Sequence, residues 1–481
     1  MNNVEQILKW IREVDIKTLP YDVVGIGWGP KEKDGKETGE YGVIFTVKEK
    51  KPIIDLDPKK IIPKNLDIHI DDSLISFKTD VKEPIIHEKI VSYCNIASNT
   101  SDPVKQHRVK RRVLMGGIET MTQWGTYVGT LGLFVKDKTD GQIVALSNNH
   151  IFANSQVVAN LLTPNEQGMT TTLEISAYQP TGYWRTTEQD DYIGKCKRAV
   201  LIGNGDYTIV GTNGGNPILA ETTCDAAIME LSAYNLINSS QSPNIYDFDA
   251  QAPFQFATDI EIDSLAPGGS NEGAPIFRSG RTLGSVGYPG NTYSCNLSVY
   301  QLGSSLVGTY CGYLSYFSNS FFVRGDVAAG AGGDSGSAMF ALYNQGNPSL
   351  SAWKLIGLLF AGPSDNSYTI GCRITSIVED LNIAPWDTTI PSFSSTKTIT
   401  ISGNKYSNSI ELSGRKFYQV GYLEPTAQPT PTPTNTPTNT PTPTETPTNT
   451  PTPTPTPTSP STPTSPSIET AFVMEINTNL Q

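Results

Sequence analysis

The chain has 481 residues, of which 37% are hydrophobic and 17% are charged, and its formal net charge is −12. This length exceeds one ordinary hydrophobic core, so we expect more than one folded unit. The acidic balance argues against a nucleic-acid-binding protein, because phosphate neutralisation needs clustered Lys and Arg.

Residues 1–112 are the charged part of the chain and predict a small N-terminal α+β accessory domain with its linker. Apolar residues at helical spacing in "VEQILKWIREV" predict an amphipathic helix instead of a signal peptide. Two strand pairs follow, one around the turn "KEKDGKETG" and one near "LDIHI" and "LISFKTDVKE". The basic stretch "HRVKRR" at 107–112 indicates a solvated linker, with a cleavage site for another protease as the alternative.

Residues 113–390 are rich in Gly, Ser and short apolar runs between turn signals, a pattern typical of a β-barrel or sandwich. One helix is predicted near the end of this region, in "TSIVEDLNI". Residues 391–424 predict a short β appendage. The fold class expected for the chain is therefore mainly β.

Residues 425–466 alternate Pro and Thr and predict a disordered spacer with extended polyproline geometry. The C-terminal peptide, residues 467–481, is too short to fold alone; we predict an unstructured end, with docking to a partner as the alternative. No run reaches the roughly 20 apolar residues of a membrane span. Without a signal peptide, we expect a cytoplasmic protein or one associated with a virion or surface by another route.

Six cysteines show neither a CxxC pair nor the spacing of metal ligands, so we expect buried small hydrophobes; a Cys295–Cys311 bridge stays open. Acidic turns such as "DKTDG" are too short and generic for a calcium site. We therefore predict no cofactor and no metal ion.

The stretch "GAGGDSGSAMF" at 330–340 gathers glycines around one Asp and one Ser. A serine hydroxyl becomes a good nucleophile when a base takes its proton and an acid orients that base. Of the four histidines, only His150 falls inside the β-rich region, where it follows the predicted strand "QIVALS". His150 is therefore the candidate base for Ser335.

Asp225 is the favoured acid, because it directly precedes the apolar strand "AAIMEL" with no neighbouring charge. Its rival, Asp206, lies in a Gly/Asn-rich stretch that indicates a turn. The chain order His150, Asp225, Ser335 is that of chymotrypsin-like proteases and differs from the orders in subtilisins and α/β-hydrolases. The glycines around Ser335 would let the backbone N–H groups of Gly333 and Ser335 face a developing oxyanion.

These stretches resemble the trypsin-like (chymotrypsin-fold) serine proteases, and more closely a branch common in bacteria and also present in plants. The matches follow the family's order over residues 113 to about 385: "GGIET" at 116–120, "GTLG" at 129–132, "LSNNH" at 146–150, "DAAI" at 225–228, "FRSGRTLG" at 277–284 and "GDSGS" at 333–337. The early "VVGIGWG" and "GVIFTVKEKKP" resemble an accessory segment that often precedes this domain. The resemblance implies a double antiparallel β-barrel with the catalytic triad in the cleft between the barrels.

Carried over to this chain, the resemblance makes His150 the general base, Asp225 its orienting acid and Ser335 the nucleophile, with the Gly333 and Ser335 N–H groups as the oxyanion hole. It also puts Ala329, Phe360 and Gly362 at the primary substrate pocket; none is charged, so an uncharged residue is expected before the cleaved bond.

The chain departs from the family at three places. Ile151 stands where the digestive enzymes carry a disulfide-bonded Cys, and Leu283 replaces the second Thr of the GRT segment. No mature N-terminus of the Ile-Val-Gly-Gly type occurs, so activation by its insertion is not expected.

Two function classes remain open. The favoured one is a serine endopeptidase acting on a protein or peptide substrate through an acyl-enzyme. The alternative is a catalytically silent scaffold or binding protein, of a phage or surface assembly, tethered by the Pro/Thr spacer.

Overall fold

The computed structural model describes part of the chain in detail: residues 3–70, 73–90, 92–93, 103–122, 127–153, 175–180, 191–200, 202, 212–213, 216–248, 254–287, 293–310, 313–343, 352–389, 409–412 and 415–418. All the described residues belong to one compact unit within Met1–Glu424. The predicted spacer and C-terminal peptide lie outside the described residues, as does Asp206.

The described helices are few and short. They are α1 (Asn3–Glu13), α2 (Asn149–Phe152), α3 (Asp259–Ser264) and α4 (Ile374–Leu381). Helices α1 and α4 confirm the two helices predicted from periodicity. Among the described residues, no helix is long and apolar enough to cross a bilayer.

Strands make up most of the described chain. The N-terminal ones are β1 (Val23–Lys33), β2 (Lys36–Val47), β3 (Asn65–Ile70), β4 (Ser73–Lys82), β5 (Ile86–Lys89) and β6 (Ser92–Tyr93). The next nine are β7 (Ile118–Thr122), β8 (Tyr127–Leu131), β9 (Leu133–Asp137), β10 (Ile143–Ser147), β11 (Ser176–Tyr178), β12 (Tyr192–Ala199), β13 (Thr212–Asn213), β14 (Asn216–Thr222) and β15 (Ala227–Leu231). The remaining ones are β16 (Gln255–Phe256), β17 (Ile276–Gly280), β18 (Gly284–Gly287), β19 (Leu297–Tyr310), β20 (Tyr313–Gly325), β21 (Ala338–Tyr343), β22 (Ala352–Gly362), β23 (Thr369–Arg373), β24 (Ile383–Ala384), β25 (Ser409–Leu412) and β26 (Arg415–Tyr418).

The strands form two sheets. The small sheet holds β6–β12, β15 and β24–β26, and the large sheet holds β1–β5, β13, β14 and β16–β23. Both sheets curl into half-barrels. The predicted mainly β fold is therefore confirmed.

The N-terminal segment, which runs from α1 to β6, has five of its six strands, β1–β5, in the large sheet. β1 pairs antiparallel with β19, where Gly27 lies opposite Gly303. A Cβ on Gly27 would come within 2.6 Å of the Leu302 carbonyl oxygen, so this close strand crossing requires glycine. The predicted domain boundary at residue 112 remains a prediction. Strands β1–β5, which precede it, share one sheet with strands that follow it.

Helix α1 attaches the same segment to α3. Ile7 and Leu8 of α1 are buried in one core with Ile262 of α3, and Arg12 forms an ion pair with the buried Asp263. The N-terminal segment therefore contacts the large sheet and α3 through apolar packing, strand pairing and charge.

A buried ion pair stabilises the small sheet. Asp137 at the end of β9 accepts two hydrogen bonds from the Arg198 guanidinium of β12, at 2.9 and 2.7 Å. Arg198 also donates to the Leu381 carbonyl at the end of α4, at 2.7 Å. Lys197 lies 2.9 Å from the same carboxylate.

We expect Asp137→Ala to lower the free energy of unfolding by about 3 to 5 kcal/mol, because it leaves the buried Arg198 charge without its carboxylate. Urea denaturation followed by tryptophan fluorescence measures this loss. Asp22→Ala is the matched control, since Asp22 pairs with Lys60 on the surface and its loss should leave the denaturation midpoint nearly unchanged. Equal effects of the two substitutions would contradict the prediction.

A second stability prediction concerns His87 of β5, which packs between the rings of Phe322 and Tyr368. Burial lowers the pKa of His87 from 6.5 to about 4. At pH values between about 6.5 and 4, His87 binds more protons in the unfolded chain than in the folded chain. The free energy of unfolding therefore falls as the pH falls through this range.

We expect His87→Phe to abolish up to about 3 kcal/mol of this acid-induced loss. Urea denaturation of both chains at pH 7 and at pH 4.5 measures the difference. An identical acid-induced loss in the two chains would show that His87 does not titrate in this way.

Candidate functional site

His150 and Asp225 meet because their strands pair. β10 ends at Ser147, opposite Ala227 at the start of β15, so the residues just outside the two strand ends are neighbours. His150 Nδ1 lies 2.5 Å from Asp225 Oδ2, and the His150 backbone N–H donates to Asp225 Oδ1 at 3.1 Å. Two contacts to one carboxylate fix both the backbone and the ring of the histidine.

Burial and two neighbouring charges act on the pKa of His150. Burial lowers the pKa of the imidazole, the Asp225 carboxylate raises it, and the charge of Lys89 lowers it, with a net decrease. Since the shift is downward, the ring is neutral at pH 7 and available as a proton acceptor.

Residues that the sequence analysis missed hold Asp225. The Asn148 side-chain amide donates to the Asp225 carbonyl oxygen at 2.7 Å, and the Asp225 backbone nitrogen lies 3.1 Å from Cys372 Sγ. "LSNNH" provided one signal, because Asn148, two residues before the histidine, is part of that motif. The sequence carried no signal for Cys372, because this residue lies 147 positions from Asp225 along the chain.

Ser335 lies on a tight turn directly before β21. Gly333 and Gly336 flank it with φ angles of +97° and +91°, in the region that favours glycine. The turn contacts the small sheet: Thr130 N–H of β8 donates to the Ser335 carbonyl at 2.8 Å, and Thr130 Oγ1 donates to the Gly333 carbonyl at 3.0 Å. The serine of one sheet is thus docked on the sheet that carries His150.

Asp334 fixes the same turn from within the large sheet. Its carboxylate lies 3.1 Å from the buried Arg278 guanidinium and accepts the backbone N–H groups of Thr282 at 2.7 Å and Leu283 at 3.2 Å. The Thr-to-Leu departure at position 283 therefore leaves this hydrogen bond in place, because the donor is the backbone. Sequence analysis gave Asp334 and Arg278 no role.

The hydroxyl of Ser335 meets peptide carbonyls. Ser335 Oγ donates to the Ile90 carbonyl oxygen and lies 3.4 Å from that of Phe360. Gly333 N–H also points to the Ile90 oxygen, with an N···O distance of 3.5 Å. In the described part of the chain, no hydrogen bond joins Ser335 to His150, and the Ser335 N–H makes none to Ile90.

The three predicted pocket residues differ in their surroundings. Ala329 is buried, and its carbonyl accepts Arg278 Nε at 2.5 Å. The Phe360 ring packs on Phe317 in the core, with centroids 4.6 Å apart, and the Phe360 carbonyl oxygen lies 3.4 Å from Ser335 Oγ. A Cβ on Gly362 would lie 3.0 Å from Ile90 Cδ1.

Metal ligands and disulfides contribute little to this region. Within the described ranges, no three His, Cys, Asp or Glu side chains are grouped as metal ligands would be. Cys295 carries a free thiol, so the bridge left open to Cys311 is not formed.

The docking of the Ser335 turn yields a testable prediction. A Cβ on Gly336 would come within 2.2 Å of Ser147 Oγ and 2.3 Å of the Thr130 carbonyl oxygen. We expect Gly336→Ala to destabilise the fold by at least about 2 kcal/mol more than Gly141→Ala. Gly141 is the matched control: its φ is +77°, but nothing lies within 4 Å of its added Cβ. Urea denaturation measures both, and similar losses would contradict the docking.

Two solved structures resemble this one weakly. The first is the crystal structure of Nocardiopsis protease (NAPase), with 12% identity, 56% of this chain and 97% of that chain covered, and a TM-score of 0.31. The second is a glutamic-acid-specific serine protease that uses a histidine triad in substrate binding, with 15% identity, 56% and 100% coverage, and a TM-score of 0.31. Neither the scan against protein-family models nor the search of curated proteins gave a match. The functional argument therefore rests on this chain's own residues.

Proposed function

We propose that this chain is a serine endopeptidase with Ser335 as nucleophile, His150 as general base and Asp225 as the acid that orients it. The observation that carries the proposal is the contact of Ser335 Oγ with the Ile90 carbonyl, together with the buried imidazole–carboxylate pair of His150 and Asp225. Acyl transfer to a serine needs a hydroxyl close to a peptide carbonyl, a neutral base and a carboxylate that orients the base.

In the proposed reaction, Ser335 Oγ attacks the carbonyl carbon of the substrate and its proton passes to His150 Nε2. Asp225 holds the imidazole through Nδ1 and stabilises the imidazolium that forms. The Gly333 N–H lies on the side where the carbonyl oxygen becomes negative, with the Ser335 N–H as the second predicted donor. The acyl-enzyme is then hydrolysed by water that gives its proton to the same histidine.

An uncharged side chain before the cleaved bond suits this cleft. Ala329 brings no charge, Gly362 leaves room, and Phe360 contributes only its backbone. Asp326, the nearest acidic residue in sequence to Ala329, is exposed and accepts a hydrogen bond from Asn296 at 3.1 Å. A basic side chain would therefore lack a buried carboxylate partner, which is costly.

Fluorophosphonate labelling of the full chain tests the proposal. We expect a single phosphonylated peptide containing Ser335, and loss of labelling in both Ser335→Ala and His150→Ala. Labelling should be slow, because the Ile90 carbonyl covers the hydroxyl. Mass spectrometry of the digested protein identifies the modified residue.

Ser337→Ala is the matched control, because Ser337 is also fully buried and lies two residues further along. It should label as the unmodified chain does. An unmodified chain that stays unlabelled after exhaustive incubation would favour the alternative of a silent scaffold.

A further inference from the structure

The last turn of α4 buries a carboxylate that the proposed reaction does not use. Asp380 is 1% exposed, whereas Glu379, the residue before it, is exposed. A carboxylate in the last turn of a helix is disfavoured by the negative end of the helix dipole. Burial adds to this cost unless the carboxylate accepts hydrogen bonds. Asp380 therefore needs partners outside α4.

The partners of Asp380 are the two residues that precede Asp225. Thr223 Oγ1 donates a hydrogen bond to Asp380 Oδ2, and the Cys224 thiol donates to the same oxygen at 3.3 Å. Asp380 lies 157 residues from Thr223 and 156 from Cys224 along the chain. One carboxylate oxygen of α4 thus holds two consecutive side chains of the stretch that leads to the proposed acid.

Asp225 lies in the connection between two strands. β14 ends at Thr222 and β15 begins at Ala227. The Asp225 backbone nitrogen lies 3.1 Å from Cys372 Sγ, and its carbonyl oxygen accepts the Asn148 amide at 2.7 Å. Side chains from distant parts of the chain thus fix the backbone of Asp225. The direction of the Asp225 carboxylate depends on such contacts.

The residues that follow Asp380 are bound to the small sheet, which carries the proposed base. The Leu381 carbonyl accepts a hydrogen bond from the Arg198 guanidinium of β12 at 2.7 Å. Ile383 of β24 lies opposite Asp137 of β9 in an antiparallel pair. Asp380 therefore joins the connection that holds the acid to a helix end that is fixed on the sheet of the base.

We propose that Asp380 is a positioning residue for Asp225, an inference that rests on the catalytic triad proposed above. By holding Thr223 and Cys224, Asp380 fixes the backbone that enters Asp225. It thereby fixes the carboxylate that contacts His150 at Nδ1 and at the backbone N–H. Asp380 acts through Asp225 and exchanges no proton with the substrate.

Proton NMR of the full chain tests this role without requiring catalysis. The Nδ1 proton of a histidine that is hydrogen-bonded to a buried carboxylate resonates far downfield of the amide protons, and its loss in His150→Ala assigns it. We expect Asp380→Ala to shift this resonance upfield or to broaden it, because a loosened Asp225 weakens the hydrogen bond. Glu379→Ala is the matched control, since it removes an exposed carboxylate from the same helical turn, and it should leave the resonance unchanged.

Fluorophosphonate labelling measures the consequence for the nucleophile. We expect Asp380→Ala to be labelled at Ser335 at least about tenfold more slowly than the unmodified chain, since a small misplacement by a residue far from the reacting atoms causes losses of this size. Asp380→Asn should recover most of the labelling rate, because its amide oxygen still accepts the Thr223 hydroxyl. Glu379→Ala should be labelled as the unmodified chain is.

Circular dichroism separates misplacement from unfolding. Asp380→Ala introduces the strongest helix former into α4 and removes a carboxylate from the helix C-terminus, so the helix itself is not weakened. If this chain nevertheless fails to fold, Thr223→Val replaces it, because valine keeps the shape of threonine and removes only one donor. Thr223→Val should shift the resonance and lower the labelling rate by a smaller factor than Asp380→Ala.

A folded Asp380→Ala or Thr223→Val chain with the resonance and the labelling rate of the unmodified chain would overturn the positioning role. An Asp380→Asn chain that is labelled as slowly as Asp380→Ala would also overturn it, because the hydrogen bonds would then not be what matters. The proposed function fails by a different result. An unmodified chain that is never labelled, but whose resonance is lost in Asp380→Ala, would refute the endopeptidase and keep the positioning of the buried pair.

Discussion

The structure depends on the seam where the Ser335 turn of one sheet meets the strand ends of the other. Thr130 of β8 holds this turn by its N–H and its hydroxyl, and Ser147 of β10 leaves no room for a side chain at Gly336. His150 follows Ser147 by three residues, so the contact that joins the sheets also constrains where His150 lies relative to Ser335. Fold stability and site geometry are therefore constrained by the same few atoms.

The N-terminal segment acts on this seam from both sides. β5 completes the large sheet between β19 and β22, and β6 adds to the small sheet through β8. The Ser335 hydroxyl, which we propose as the nucleophile, donates to the Ile90 carbonyl. In the described part of the chain, the residue that follows β5 thus contacts the Ser335 hydroxyl.

Sequence analysis could predict what depends on local signals. A hairpin followed by "LSNNH" predicts a histidine at a strand end, an isolated Asp before an apolar run predicts a buried carboxylate, and glycines around Ser335 predict positive φ angles. Contacts between distant segments had no such signal. Ile90 is 245 residues from Ser335, and a short alternating stretch such as "IHEKI" carries no mark of the cleft it occupies. Which strand of a sheet pairs with which depends on the whole chain.

The occupied cleft also sets the electrostatics of the base. Burial and the Lys89 charge both lower the pKa of His150, while Asp225 raises it. One of these influences comes from β5, since Lys89 belongs to that strand. Displacement of β5 removes the Lys89 charge and admits solvent, so the pKa of His150 should rise toward its ordinary value while its bond to Asp225 persists. Loss of the Lys89 charge would therefore make the imidazole of His150 a stronger proton acceptor.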